Sequence, residues 1–74
     1  MIRLPTTDAT RFIRALKRMG FVTVNQRGSH LTLRHPISQL QTTVPVHGGD
    51  LKRGLMKRIL KQIGVTEAEL REYI

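Results

Sequence analysis

Seventy-four residues without a cysteine make a single domain with a small core, and exclude both disulfide bridges and thiolate metal sites. Thirteen Lys and Arg against five Asp and Glu give a net charge of +8. That excess suits a polyanion, and nucleic acid ranks before a membrane surface because no strongly amphipathic basic helix with exposed aromatics is visible.

The N-terminal "MIRLPTTDAT" lacks the apolar core of a signal peptide, so a cytoplasmic protein is expected. "TTDATRFIRALKRMGF" then predicts a helix: Thr6 or Thr7 as its cap, Asp8 at its positive end and Gly20 just past its last turn. Ala9, Phe12, Ile13 and Leu16 recur at helical spacing and form the buried stripe. Arg11, Arg14, Lys17 and Arg18 fall mainly outside it and read as a solvated face.

The period then changes to two. "FVTVNQ", "HLTLRH" and "LQTTVPV" alternate apolar and polar and are rich in Val, Thr and Leu, which predicts three short antiparallel strands. Arg27-Gly28-Ser29 turns the first into the second, and Pro36 to Gln39 turns the second into the third. Pro45 lacks the N–H a central strand needs, so the third strand belongs at an edge or ends there. After "HGGD", "LKRGLMKRILKQIG" predicts a second helix with Leu55, Ile59 and Ile63 on one face, Met56 and Leu60 widening it, and Gly64 ending it. Thr66 and Glu69 make a capping box for a short third helix. The order α-β-β-β-α with a helical tail is an α+β fold. It predicts one three-stranded antiparallel sheet with helices on a single face and the other face open.

Charge is uneven along this order. Glu67, Glu69 and Glu72 lie in the last eight residues, so the first 66 residues hold twelve basic residues against Asp8 and Asp50, a net of +10.

"NQRGSHLTLRHP" concentrates the chemistry. Side chains alternate along a strand, so Leu31 and Leu33 face the core while His30, Thr32 and Arg34 share the opposite side. Arg27 lies across the turn, within reach of the same patch. A lone histidine on the polar face of a basic protein is ordinarily incidental. An uncharged imidazole is nonetheless a base. RNA also carries its own nucleophile: the ribose 2′-OH, once deprotonated, attacks the adjacent phosphate. The protein then needs only a base, cations for the phosphorane-like transition state and a proton for the leaving group. His30 suits the base, Arg27 and Arg34 the clamp, and Gly28 a close approach of backbone N–H groups to a phosphate. Ser29 reads as a turn-stabilising hydroxyl at a phosphate-binding turn, since no third residue orients a base for it as nucleophile.

Other candidates read more plainly. His47, in a Gly-rich turn, is a turn hydrogen-bonder or the donor of the leaving-group proton. His35 alternates onto the core side and reads as structural. Three histidines without nearby carboxylates make a poor metal site, so no metal or cofactor is expected. Arg53, Lys57 and Lys61 recur at i, i+4 and i+8 along the second helix, a solvated face that also suits phosphates without base specificity. Phe12, Phe21 and Tyr73 are the only aromatics, too few for a base-stacking platform.

"GFVTVNQRGSHLTLRHP" followed by "TTVPVHGGDLKRGLMKRILKQIGV" resembles the HicA toxin family, small ribonucleases of bacterial toxin–antitoxin pairs. Gly20-Phe21, Gly28-Ser29-His30, His35-Pro36, Val44-Pro45-Val46-His47, Gly48-Gly49 and Ile59 to Gln62 leading to Gly64 carry the likeness in order. The resemblance implies a double-stranded-RNA-binding-domain-like fold and a catalytic histidine at His30. It also implies metal-independent cleavage of mRNA and neutralisation by a cognate HicB-type antitoxin. Arg53 stands where the family usually has a proline, Ile37-Ser38 where Asp-Gly is common, and Arg27 where lysine is common. Two further readings share the same charge: a non-catalytic basic RNA-binding module, and an interaction protein whose basic face docks an acidic partner.

Overall fold

The computed structural model describes residues 7–46 and 49–74. A two-residue strand β1 (Thr7–Asp8) leads into helix α1 (Ala9–Arg18). Three longer strands follow, β2 (Val22–Arg27), β3 (His30–Arg34) and β4 (Gln41–Pro45). Then come a second two-residue strand, β5 (Asp50–Leu51), and helices α2 (Arg53–Ile63) and α3 (Glu67–Arg71). The sheet has the order β2-β3-β4, antiparallel throughout. This is the expected α-β-β-β-α arrangement, with the layout of a double-stranded-RNA-binding domain.

Leu31, Leu33 and Val44 project from one sheet face into Phe12, Leu16, Met56, Ile59, Leu60 and Ile63 of the two long helices, and all are buried. Leu70 of α3 closes the same core. With the helices on this face, the opposite face carries His30, Thr32, Arg34, Gln41 and Thr43, exposed or half-buried. As an edge strand, β4 tolerates Pro45 as its last residue.

The helix ends follow local chemistry, with one change from expectation. Asp8 is the N-cap of α1, its carboxylate accepting from Arg11 N–H at 2.7 Å. Thr7 cannot serve there because it is one residue too early, paired with Leu51 in the β1–β5 ladder, and Thr6 lies outside the described residues. That ladder, Thr7 with Leu51 and Asp8 with Asp50, is a feature the period gave no sign of. It joins the start of one helix to the start of the other. Lys52 caps α2 without a side-chain bond, and Arg53 occupies the first helical position, where a proline would preset the backbone. Gly64 ends α2 in the left-handed conformation, and Thr66 and Glu69 complete a reciprocal capping box on α3.

Candidate nucleic-acid interface

The site begins at a two-residue turn. Gly28 has φ +57°, and among the described residues Ser29 is not one of those with positive φ. A single positive φ at the first central position fits a glycine-led hairpin turn, whose twist matches its strands. The turn sets Arg27 directly opposite His30. Cross-strand Cα atoms in such a pair lie about 4.5–5.5 Å apart, with side chains on the same face. The backbone carbonyl of Ser29 accepts from Val46 N–H, and that of Gly28 accepts from the Gln26 amide at 3.3 Å. The end of β4 and the end of β2 thus both brace the turn. Gly28 has open space where a side chain would stand.

On β3 the burial alternates as the sequence requires: His30 exposed, Leu31 buried, Thr32 half-buried, Leu33 buried, Arg34 exposed. His30 therefore stands on the open face with Arg27 beside it. Arg34 shares the face but lies four residues further on, roughly 13 Å along the strand at about 3.3 Å per residue. Between them the Thr32 and Thr43 hydroxyls meet at 3.1 Å. Arg34 also donates from Nη2 to Oε1 of Gln39. The two arginines thus flank different ends of the strand.

The first strand departs from its apparent pattern. Counting back from the turn, the open face takes Arg27 and Asn25, opposite His30 and Thr32. Unbroken alternation would put Thr23 there next and send Val24 and Val22 to the core side. Instead the register shifts between Thr23 and Asn25, so Thr23 pairs with Leu33 and Val22 pairs with Arg34. One extra residue reverses which side the valines occupy, as a β-bulge does. Val22 and Val24 are each 49% exposed.

His35 is a structural residue. Its Nδ1 accepts from Ile37 N–H at 3.2 Å and Ser38 N–H at 3.4 Å, which orients the ring. Its ring meets Phe21 edge-on, 5.0 Å between centroids. The turn it holds carries Gln39 at φ +67°, the only described non-glycine residue with positive φ.

The remaining expected residues lie elsewhere. Arg53, Lys57 and Lys61 are exposed along one flank of α2, in the helical layer rather than on the open sheet face. Lys57 meets Glu67 of α3 at 3.9 Å, an exposed pair of little energetic weight. His47 lies outside the described residues. The opposite flank of α2 contributes a residue that sequence reasoning missed. Arg58 borders a groove of about 290 Å³ against β4, with Gln41, Thr43 and Gln62, where Thr42 donates to Gln62 at 2.7 Å. Its helical spacing with Leu55, Ile59 and Gln62 was visible, but the placement of that flank against β4 was not. Among the described residues no cluster of three His, Cys, Asp or Glu could hold a metal ion, and no helix is long and apolar enough to cross a membrane.

Comparison with known families adds one finding. A family model described as the HicA toxin of bacterial toxin–antitoxin systems matches residues 9–65, from the first residue of α1 to just past α2. No curated protein matches the chain.

Proposed function

Since the chain belongs to the HicA toxin family of bacterial toxin–antitoxin systems, we propose that it arrests growth as a metal-independent endoribonuclease that cleaves mRNA in the cytoplasm. His30 takes the proton of a ribose 2′-OH. The 2′-oxygen attacks the neighbouring phosphorus, the bond from phosphorus to the 5′-oxygen breaks, and the products are a 2′,3′-cyclic phosphate and a 5′-hydroxyl. The departing oxygen takes a proton from water or from a second acid, for which His47 is the residue to test. Arg27, directly across the ladder, offsets the charge that builds on the phosphorane-like oxygens. Gly28 and Ser29 offer turn backbone to the same phosphate.

Arg34 stands too far along β3 to share that phosphate with Arg27 and is assigned to a neighbouring one. Arg53, Lys57 and Lys61 add contacts for an RNA long enough to leave the sheet. A HicB-type antitoxin neutralises the toxin by covering the open face.

The observation that carries this reading is the exposed His30 paired with Arg27 on a face without a carboxylate: residues 22 to 45 contain no Asp or Glu. The test is cleavage of end-labelled RNA by purified wild type and His30→Ala. Wild type should leave 2′,3′-cyclic phosphate ends, undiminished by EDTA, and should bind but not cut RNA with a 2′-deoxyribose at the cleavage position. His30→Ala should bind and not cut. Equal cutting by the two proteins would remove His30 from the reaction and leave a basic RNA-binding module.

A further inference from the structure

A cleft of about 270 Å³ bordered by Val22, Val24, Arg34, Pro36 and Gln39 has no part in the chemistry assigned to His30. Several unusual features converge on it. The register shift in β2 turns Val22, and with it Val24, away from the core and leaves both half exposed, at 49%. Gln39 adopts φ +67°, a conformation that residues other than glycine and asparagine seldom take. Its side chain is held at both ends: the amide donates to the Pro36 carbonyl at 3.1 Å, and its oxygen accepts from Arg34. Among the described residues that is Arg34's one side-chain hydrogen bond, and a guanidinium has five N–H donors to offer. An apolar floor with a fixed cation and amide at its rim is not required by the fold.

We propose that this cleft is a base-binding subsite, taking one nucleobase of the RNA strand at a fixed offset from the cleaved phosphodiester. It rests on the reading of His30 as the cleaving residue, and it would give the reaction a sequence or spacing preference. The face of the base lies on Val22 and Val24, while Arg34 meets the base edge or the adjoining phosphate. Two features of the surface favour RNA as the occupant. The cleft lies on the same face as His30, roughly 13 Å along β3, which is farther than the cleaved nucleotide itself. In addition, residues 22 to 45 carry Arg27 and Arg34 without a single carboxylate, a charge balance that suits a phosphate backbone. Residues 22 to 45 hold no Phe, Tyr or Trp, so the valines are the apolar surface this region offers a base.

The experiment walks an abasic sugar along a defined RNA that carries 2′-deoxyribose at the mapped cleavage position. Affinity is measured for wild type, the double variant Val22→Ser/Val24→Ser, and Gln39→Gly. Wild type should lose about tenfold in affinity when the abasic sugar reaches one particular position, the scale of a few buried methyl groups. The valine double variant should bind intact RNA as weakly as wild type binds the abasic one, and should no longer sense the substitution. Gln39→Gly relieves the backbone conformation and keeps the fold, so it should show a smaller loss at the same position even if the double variant is destabilised. A wild-type abasic profile in both variants overturns the proposal. So does unchanged RNA binding with lost affinity for an inhibitory partner protein, which would give the cleft to that partner. If wild type cuts no RNA at all, the reading of His30 fails separately. The abasic walk on uncut RNA still decides the cleft, since one sensitive position abolished by the valine changes supports it and a flat profile refutes it.

Discussion

Arg27 and His30 face each other across the tightest part of the β2–β3 hairpin, separated in sequence only by Gly28 and Ser29. Their proximity is set by backbone pairing, so it needs no side-chain contact to maintain it. In the proposed reaction, negative charge grows on phosphate oxygens as His30 takes its proton, and a cation placed beside it in this way would offset that charge.

Arg27→Ala should therefore lower kcat/KM for RNA cleavage about 100-fold, the usual loss on removing one transition-state charge partner. Arg27→Lys should recover part of this, because the charge survives and the planar fork does not. Single-turnover rates and RNA affinities of wild type and the two Arg27 variants check this. An unchanged single-turnover rate with weakened affinity would show that Arg27 acts only in binding.

Salt dependence separates the sheet face from the helical layer. Each phosphate contact to single-stranded RNA contributes about 0.7 to the slope of log affinity against log salt. Arg27→Ala and Arg34→Ala should each flatten the slope by about that amount. Arg14→Ala, on the exposed side of α1 away from the sheet, should leave it unchanged. Titrations at four or five salt concentrations with uncleavable RNA read the difference. An Arg14 effect equal to that of Arg27 would place RNA on α1.

Loss of chemistry and loss of fold are also separable on β3 itself. Leu33 is fully buried in the centre of the sheet, whereas His30 is exposed at the strand's start. Leu33→Ala should cost about 2–5 kcal/mol, and His30→Ala should stay within about 0.5 kcal/mol of wild type. Urea unfolding of both variants tests the contrast. A large loss for His30→Ala would mean that the ring supports the structure.

Much of this site was legible because it rests on short-range rules. Alternation sent Leu31 and Leu33 inward and His30 and Arg34 outward, and a glycine between two apolar runs marked the turn. What escaped was nonlocal or irregular. The β1–β5 ladder joins residues more than forty positions apart through two residues each, too short to show a period, and it moves the cap of α1 to Asp8. The bulge is hidden by the sequence it interrupts: "FVTVNQ" looks regular, yet only pairing with β3 reveals that Val24 is supernumerary. The left-handed Gln39 has no glycine to announce it, and Arg58 gains meaning only from the neighbouring strand.

Gly20 and His35 provide the sharpest test of how the back of the site is held. Gly20 has φ +108°, and a side-chain carbon there would stand 2.9 Å from Nε2 of His35. Gly20→Ala therefore meets two penalties, a backbone conformation unsuited to alanine and a clash with a ring fixed by Ile37, Ser38 and Phe21. The expected loss is about 2–3 kcal/mol, which for a domain of this size lowers Tm by about 10–20 °C. His35→Ala alone should cost about 1–2 kcal/mol through the lost acceptor and packing, and His35→Asn less, because its amide oxygen can take the place of Nδ1. In the double variant Gly20→Ala/His35→Ala the clash is gone while the backbone penalty stays, so the combined loss should fall below the sum of the single losses by about 1 kcal/mol. Thermal melts of the four proteins give the cycle. Strict additivity would show that the ring yields freely, and that the turn carrying Gln39 and Arg34 is held by something other than His35.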